Sequence, residues 1–331
     1  MVKEMDILAV DGGGTGCRGA LCRRQSPFVR IAREAAVNYH AVGAGQAEQS
    51  LTSLLRSLTG GAATKVKSAV VGLAGLDTEA DRIVLTSLVQ RSLAAAAIRA
   101  DTICLDNDVL VTLRGETGGG AGIIVAAGTG SIAWGLAADG RTARAGGWGY
   151  RVGDEGSGYD LGRQALSHVL HVYDGRSEYS PLAAAVLAEL GVADAPSLLD
   201  WVYGPDFTVQ RTAALAAVVM RLAETGEEAA QAIVSAGARQ LTSAALAVFR
   251  RLELGNSSFT LVTSGGLLRH QSLRSLLLQQ LGSVCRPFAF RSLDQPPLCS
   301  AVRYGYRMAG MDEQAFIENL TAKVAHQLLQ E

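Results

Sequence analysis

Three glycine-rich turns, each closing an apolar run, are the stretches of this sequence best suited to hold a phosphate chain: Asp11-Gly12-Gly13-Gly14-Thr15-Gly16, Gly128-Thr129-Gly130-Ser131 and Ser264-Gly265-Gly266. Glycine lets backbone N–H groups approach phosphate oxygens without obstruction, and Thr15 and Thr129 add hydroxyls. Asp11 precedes the first turn, where a carboxylate holds Mg2+ through water and offsets triphosphate charge; its plainer role is an Asx-type turn cap. Asp108 follows a strand in the first half and can take a proton from an attacking hydroxyl. Asp106 competes for that part, and either can instead cap a helix starting at Val109. The densest stretch is Gly146-Gly147-Trp148-Gly149-Tyr150-Arg151-Val152-Gly153-Asp154-Glu155-Gly156-Ser157-Gly158-Tyr159. So many glycines are costly to order, and Asp154 and Glu155 repel one another unless something binds them. Sugar hydroxyls are good partners for carboxylates, and Trp148 can cover a sugar ring face.

Other phosphate chemistries are excluded by pattern. No G-x-x-x-x-G-K-[ST] occurs, so this is not a P-loop, and a returning strand replaces the helix that a dinucleotide fingerprint needs. Thirty Lys+Arg against thirty-one Asp+Glu give a net charge of -1, which offers no field to a nucleic acid. The cluster Arg18, Arg23, Arg24 and Arg30 reads as solvated surface. Five scattered cysteines without a C-x-x-C pair argue against a disulfide framework or a zinc site. The N-terminus carries no leader-like apolar core, and no stretch approaches roughly 18 uninterrupted apolar residues. The expected setting is a reducing cytoplasm, with no membrane partner.

The elements that must position these residues follow from periodicity. With 331 residues, 48% of them hydrophobic, the chain suits two domains and therefore a cleft. Residues 7–10 and 20–22 read as a strand, tight turn and returning strand. Residues 47–58 read as a helix, 69–75 as a buried strand with a glycine-rich exit, 79–97 as a helix and 102–105 as a short strand. Residues 115–120 are a candidate hinge. Beyond it, 122–131 and 132–136 repeat the opening arrangement, with the tripeptide Gly14-Thr15-Gly16 recurring as Gly128-Thr129-Gly130. Residues 161–252 are Ala/Leu-rich and helical with a break near 201–206. Residues 259–264 form a last strand opening a helix, and a terminal helix follows Met311.

These residues, in this order and over roughly the whole chain, resemble the N-acetylglucosamine kinase and glucosamine kinase group of the BadF/BadG/BcrA/BcrD ATPase family, within the sugar kinase/actin-like ATPase superfamily. Asp11-Gly12-Gly13-Gly14-Thr15 looks like that group's first phosphate motif, Gly128-Thr129-Gly130-Ser131 like its second, and Ser264-Gly265-Gly266 like its adenosine motif. Gly147-Trp148-Gly149 followed by Gly153-Asp154-Glu155-Gly156-Ser157 resembles its shared signature. The resemblance implies an α/β fold of two actin-like ATPase (ribonuclease H-like) domains around an ATP cleft, over 1–118 and 119–311, with a terminal helix at 312–331 packing back on the first. It implies ATP and Mg2+ as cofactors, Asp108 ahead of Asp106 as catalytic base, Asn38, Asp154 and Gly75 at the sugar, and Asp11 at the metal. Many such kinases are homodimers.

The implied activity is phosphorylation of an amino sugar, with N-acetylglucosamine 6-phosphate as the leading product. Glucosamine and N-acetylmuramic acid are alternative acceptors. Two other readings stand beside it. One is an ATPase that activates a protein partner, whose known form holds an iron–sulfur cluster on cysteines. The other is a non-catalytic sugar-binding regulator, which would tolerate loss of Asp11 and Asp108.

Overall fold

The computed structural model describes residues 6–23, 29–256, 258–285, 288–311 and 313–330. Arg24 of the arginine cluster and both ends of the expected terminal helix, Asp312 and Glu331, lie outside the described residues.

The chain divides into two compact units, Met1–Gly120 with Leu293–Glu331, and Ala121–Ser292. In the first, β1 (Ile7–Gly12), β2 (Cys17–Cys22) and β3 (Val29–Glu34) run into α1 (Tyr39–Val42) and α2 (Ala44–Thr59). Then come β4 (Thr64–Leu73), α3 (Glu79–Ala95), β5 (Ile98–Asp106) and α4 (Asp108–Thr117). The sheet order is β3-β2-β1-β4-β5. The β1–β2–β3 ribbon is antiparallel, and β4 and β5 are added in parallel to β1.

β1 is buried on both faces, as its unbroken Ile7-Leu8-Ala9-Val10 run demands of a central strand. Leu8 and Val10 face a core with Leu51 and Leu54 of α2 and Leu85 and Leu88 of α3. Ile7 and Ala9 face the opposite layer, the period-two alternation of a strand.

The second unit opens with β6 (Gly122–Ala127), β7 (Ser131–Leu136) and β8 (Thr142–Gly146). Five helices follow: α5 (Gly158–Tyr173), α6 (Pro181–Leu190), α7 (Leu198–Tyr203), α8 (Val209–Glu224) and α9 (Glu228–Arg251). β9 (Phe259–Ser264), α10 (Gln271–Gly282) and β10 (Phe288–Ser292) complete it. Its sheet order, β10-β9-β6-β7-β8, repeats the first unit's arrangement with the same mix of parallel and antiparallel pairs. α9 is long and apolar enough, by length and composition, to cross a membrane. Here its Ile233, Val234, Leu241 and Val248 belong to the unit's core, and it packs on α8, α10 and β7.

The chain returns to the first unit through α11 (Pro297–Met308) and α12 (Gln314–Gln330). The expectation that 293–311 belongs to the second domain is therefore corrected. α11 packs on β1, β4 and α4, and its Leu298, Val302 and Tyr306 share a core with Ile7, Val70 and, from α12, Ile317 and Val324.

Candidate active site

In the first unit, parallel pairing sets the ends of three strands in one row: Asp11 of β1 is opposite Gly72 of β4, which is opposite Asp106 of β5. Ligands of open α/β sheets bind beyond such C-terminal strand ends. The turn after β1 closes with Gly13 N–H donating to the Gly16 carbonyl at 2.9 Å. A cavity of about 390 Å³ is lined there by Asp11, Gly13, Thr15, Arg18, Glu34 and Asp108.

The Asp11 carboxyl accepts no hydrogen bond from any described residue, and burial raises it to about 6 although Arg18, its cross-strand partner on β2, pulls the other way. Asp108 is raised to about 7, first by burial, then by the charge of Asp11 and further by Asp77. Backbone N–H donation from Val109 only partly offsets this. Such a carboxyl is poised to exchange a proton near neutrality.

The two aspartates differ in their partners. Asp106 is 7% exposed and bridged by Arg82 at 3.2 Å and Arg114 at 3.1 Å, so both its oxygens are spent in ion pairs. Neither of them is the principal cap of α4: Asn107, between them, accepts from Val109 N–H at 3.0 Å. Asn107 also donates its amide to Asp77 at 3.3 Å.

Asn38 and Gly75 meet. Asn38 caps α1 by accepting from His40 N–H at 3.1 Å. Gly75 has φ +88°, and a Cβ there would stand 2.7 Å from the Asn38 amide oxygen, so only glycine allows both the turn and the approach. A larger cavity of the unit, about 720 Å³ and lined by Leu93, Ala97, Ile98 and Ile103 among others, is bounded by none of these site residues.

In the second unit, Gly128 N–H donates to the Gly130 carbonyl at 2.9 Å, and the signature loop folds onto this turn. Gly147 N–H donates to the Ser131 carbonyl at 3.0 Å, Gly158 N–H to that of Gly128 at 2.7 Å, and Tyr159 N–H to that of Thr129 at 3.1 Å. Asp154, held at φ +61°, accepts from Ser131 N–H at 3.3 Å and lies against Gly130. Burial, and Glu155 after it, raise its carboxyl. The Ser131 hydroxyl donates to the Glu155 carbonyl at 2.7 Å, so its proton is already committed.

Trp148 is two-thirds exposed, with the Arg144 guanidinium 4.1 Å from its ring centre, so one indole face is covered from within the protein. A cavity of about 450 Å³ adjoins the turn, lined by Gly128, Thr129, Gln210, Ala213, Gly266 and His270. Gly265, at φ +93°, brings β9 so close to β6 that a Cβ would sit 2.2 Å from the Ala127 carbonyl oxygen.

Sequence reasoning missed Asp77, His40, Arg18, Gln210 and His270. Asp77 sits two residues past Gly75, a signal that was open to use. Gln210, on α8, and His270, just before α10, carry no motif and come to the turn only through packing.

The doubled sheet and its paired glycine turns define an ATPase of the actin-like class. The chain belongs to the BadF/BadG/BcrA/BcrD ATPase family, whose pattern matches residues 8–284, and ATP use comes with that membership. It is 30% identical to the N-acetylmuramic acid/N-acetylglucosamine kinase of Clostridium acetobutylicum, over 80% of this chain and 86% of that one. It is 28% identical to the N-acetyl-D-glucosamine kinase of Dictyostelium discoideum, over 85% and 90% of the two chains. A solved structure of a candidate N-acetylglucosamine kinase from Chromobacterium violaceum matches with a TM-score of 0.67 and 30% identity, covering 90% and 97%.

Proposed function

We propose that the protein transfers the γ-phosphoryl group of Mg·ATP to a hydroxyl of an amino sugar, with N-acetylglucosamine and its 6-phosphate as leading substrate and product. The supporting observation is the pair of carboxyls at the β1 and β5–α4 strand ends: Asp108, half-buried and raised to about 7, lines one cavity with Asp11 and the first glycine turn.

In this reading Asp108 accepts the proton of the sugar 6-hydroxyl as its oxygen bonds to the γ-phosphorus. The bond from that phosphorus to the β–γ bridging oxygen breaks, and ADP leaves. Asn38, Gly75, Gly147, Trp148, Asp154 and Glu155 serve the sugar. Backbone N–H groups of Gly14, Gly130, Gly265 and Gly266, with the hydroxyls of Thr15 and Thr129, serve the nucleotide, while Gly13, Gly128 and Ser131, whose donors are spent inside the protein, shape the turns that hold it.

Among the described residues no group of three or more His, Cys, Asp or Glu side chains could hold a metal alone. Asp11 fits Mg2+ nonetheless, because its carboxylate lacks a hydrogen-bond partner and this ion favours one or two carboxylates plus substrate phosphates. When bound, Mg2+ supplies positive charge to the phosphate oxygens.

The partner-activating ATPase is the weaker reading. Four of five cysteines are buried, Cys104 is half-buried, and burial pushes the thiols of Cys17 and Cys22 far up, against the thiolate form that cluster ligation needs. The name of the Clostridium relative makes N-acetylmuramic acid the second acceptor to try.

The test is ADP release with Mg·ATP, without sugar and with N-acetylglucosamine, glucosamine, N-acetylmuramic acid, N-acetylmannosamine or glucose. Stimulation by one amino sugar is expected. Turnover indifferent to every sugar would sink the kinase reading.

A further inference from the structure

One carboxylate outside the residues assigned so far ties together two loops that carry them. Asp81, 4% exposed, is the third residue of α3. Its Oδ2 does local work: it accepts from Asp77 N–H at 3.1 Å, Thr78 N–H at 2.7 Å and the Thr78 hydroxyl at 2.8 Å, while Thr78 Oγ1 accepts from Asp81 N–H at 3.2 Å. That is a capping box, which a helix start of this sequence needs and which would be complete without further partners. Its Oδ1 does something a cap does not require. It accepts from the Tyr39 hydroxyl and pairs with His40 Nε2 at 2.9 Å, both on α1, some forty residues away in sequence.

The two ends of this tie are the turn headed by Asn38 and the loop 74–78 that carries Gly75 and Asp77. The same contact that brings Asn38 within reach of Gly75 also brings the His40 ring there, 3.2 Å from where a Gly75 Cβ would stand. Asp77, fixed by Asp81 at its N–H, accepts from the Asn107 amide and adds to the charge around Asp108. α1 is only four residues long and contains no fully buried residue, so it has little packing of its own to hold its position.

We propose that Asp81 is a positioning residue for the acceptor: through Tyr39 and His40 it holds Asn38 against Gly75, so that acceptor affinity depends on a hydrogen-bonded tie outside the residues that touch the acceptor. This rests on the kinase reading for Asn38 and Gly75. The tie is built to persist. Burial works against the ionised form of Asp81, but the bonds from Tyr39, Thr78 and the two backbone N–H groups outweigh it and hold its carboxyl well below the usual range. The same bond, with burial behind it, raises the Tyr39 hydroxyl to about 12, so its proton stays in place.

The two oxygens allow the tie and the cap to be broken separately. The double variant Tyr39→Phe, His40→Ala removes the Oδ1 partners and keeps the cap, whereas Thr78→Val removes the cap hydroxyl and keeps the tie. With N-acetylglucosamine as acceptor, the double variant should raise acceptor KM at least tenfold while KM for ATP and kcat change less than threefold. Its amides at 39–43 should exchange with deuterium at least tenfold faster. Thr78→Val should lower Tm yet leave acceptor KM within twofold.

Unchanged exchange in the double variant would overturn the tie. Faster exchange with unchanged acceptor KM would overturn the positioning role, as would an equal KM rise in Thr78→Val. A wild type indifferent to sugars sinks the kinase reading, and with it the assignment of an acceptor to this site; the exchange comparison then still decides whether the tie exists.

Discussion

The two units carry the same five-stranded sheet order and a similar glycine turn, yet the pair of carboxyls with raised pKa beside that turn, Asp11 and Asp108, belongs to the first. In the first, the turn spans 13–16 between paired Gly12 and Cys17; in the second it spans 128–130 between paired Ala127 and Ser131, one residue shorter. The penultimate residue of the leading strand is Asp11 in one and Ala126 in the other. After its last parallel strand the first unit places Asn107 and Asp108 at the start of α4, while the second ends β10 at Ser292 and leaves the unit. In compensation, the second unit clasps its turn with the loop 147–157 and the start of α5. A common scaffold thus fixes where strand ends lie, and the residues set at those ends make the two units chemically different, with raised carboxyls in the first and a clasped turn in the second.

The sharpest way to break that comparison is to remove the base. Asp108→Asn should lower sugar-dependent turnover by roughly a thousandfold, in the range typical of a lost general base, while ATP still binds. Asp106→Asn is the control: it leaves Arg82 and Arg114 with a weakened partner, so it should lower Tm more than it lowers turnover per folded molecule. If Asp106→Asn instead abolishes turnover in a protein of normal Tm while Asp108→Asn does not, the assignment is reversed.

The next effect compares glycines. Gly265→Ala must accept φ +93° and a carbonyl 2.2 Å away, and should cost roughly 2–4 kcal/mol in unfolding free energy. Gly14→Ala meets nothing within 4 Å at an ordinary φ and should cost under about 1 kcal/mol. Denaturant titration of both variants measures this. Equal losses would mean that the strand approach at Gly265 matters no more than an open turn.

Legibility in the sequence divides along physical lines. β1, β2, β6 and β7 were readable because an apolar run meets a glycine turn and returns. β3 and β10 escaped because they are edge strands in which Arg30, Arg33 and Arg291 interrupt the apolar pattern. Only the second half of β5 is readable, since Arg99 and Asp101 interrupt the apolar pattern of the first. The return of α11 to the first unit depends on Gly305 and Ser300 fitting closely against β1 and α4, which no periodicity reports. Within the site, Asp11, Asp108 and the turns were legible as motifs. The spent state of Asp106 and the tie through Asp81 were not, because both are set by partners between eight and forty-two residues away.

The pH dependence of the two units should differ as well. As a base Asp108 must be ionised, so kcat/KM should fall about tenfold for each pH unit below roughly 7. The stability effect has the opposite sense. Asp11 and Asp108 hold protons in the fold up to about 6 and about 7, against 3.8 in the unfolded chain. Their contribution is therefore fully present below pH 3.8 and is lost as pH rises through those values. Asp108→Asn should then be the more stable protein near pH 8, by at most roughly 4 kcal/mol, and nearly level with wild type near pH 4. Thermal unfolding of both proteins across this window measures it; a variant less stable than wild type at pH 8 would show that Asp108 is not strained by burial.

The smallest effect concerns the clasp on the second turn. Ser131→Ala removes one hydroxyl bond to the Glu155 carbonyl and leaves the Asp154 bond to the backbone N–H in place. It should cost on the order of 1 kcal/mol of stability and raise KM for ATP several-fold, because the turn loses one of its two side-chain ties to the signature loop. Asp154→Ala removes the other tie and a proposed sugar ligand together, so it should raise KM for the acceptor more than that for ATP. If both variants move the two KM values in the same proportion, Asp154 serves only to shape the turn, and the second unit's part in holding the sugar passes to Trp148 and its neighbours.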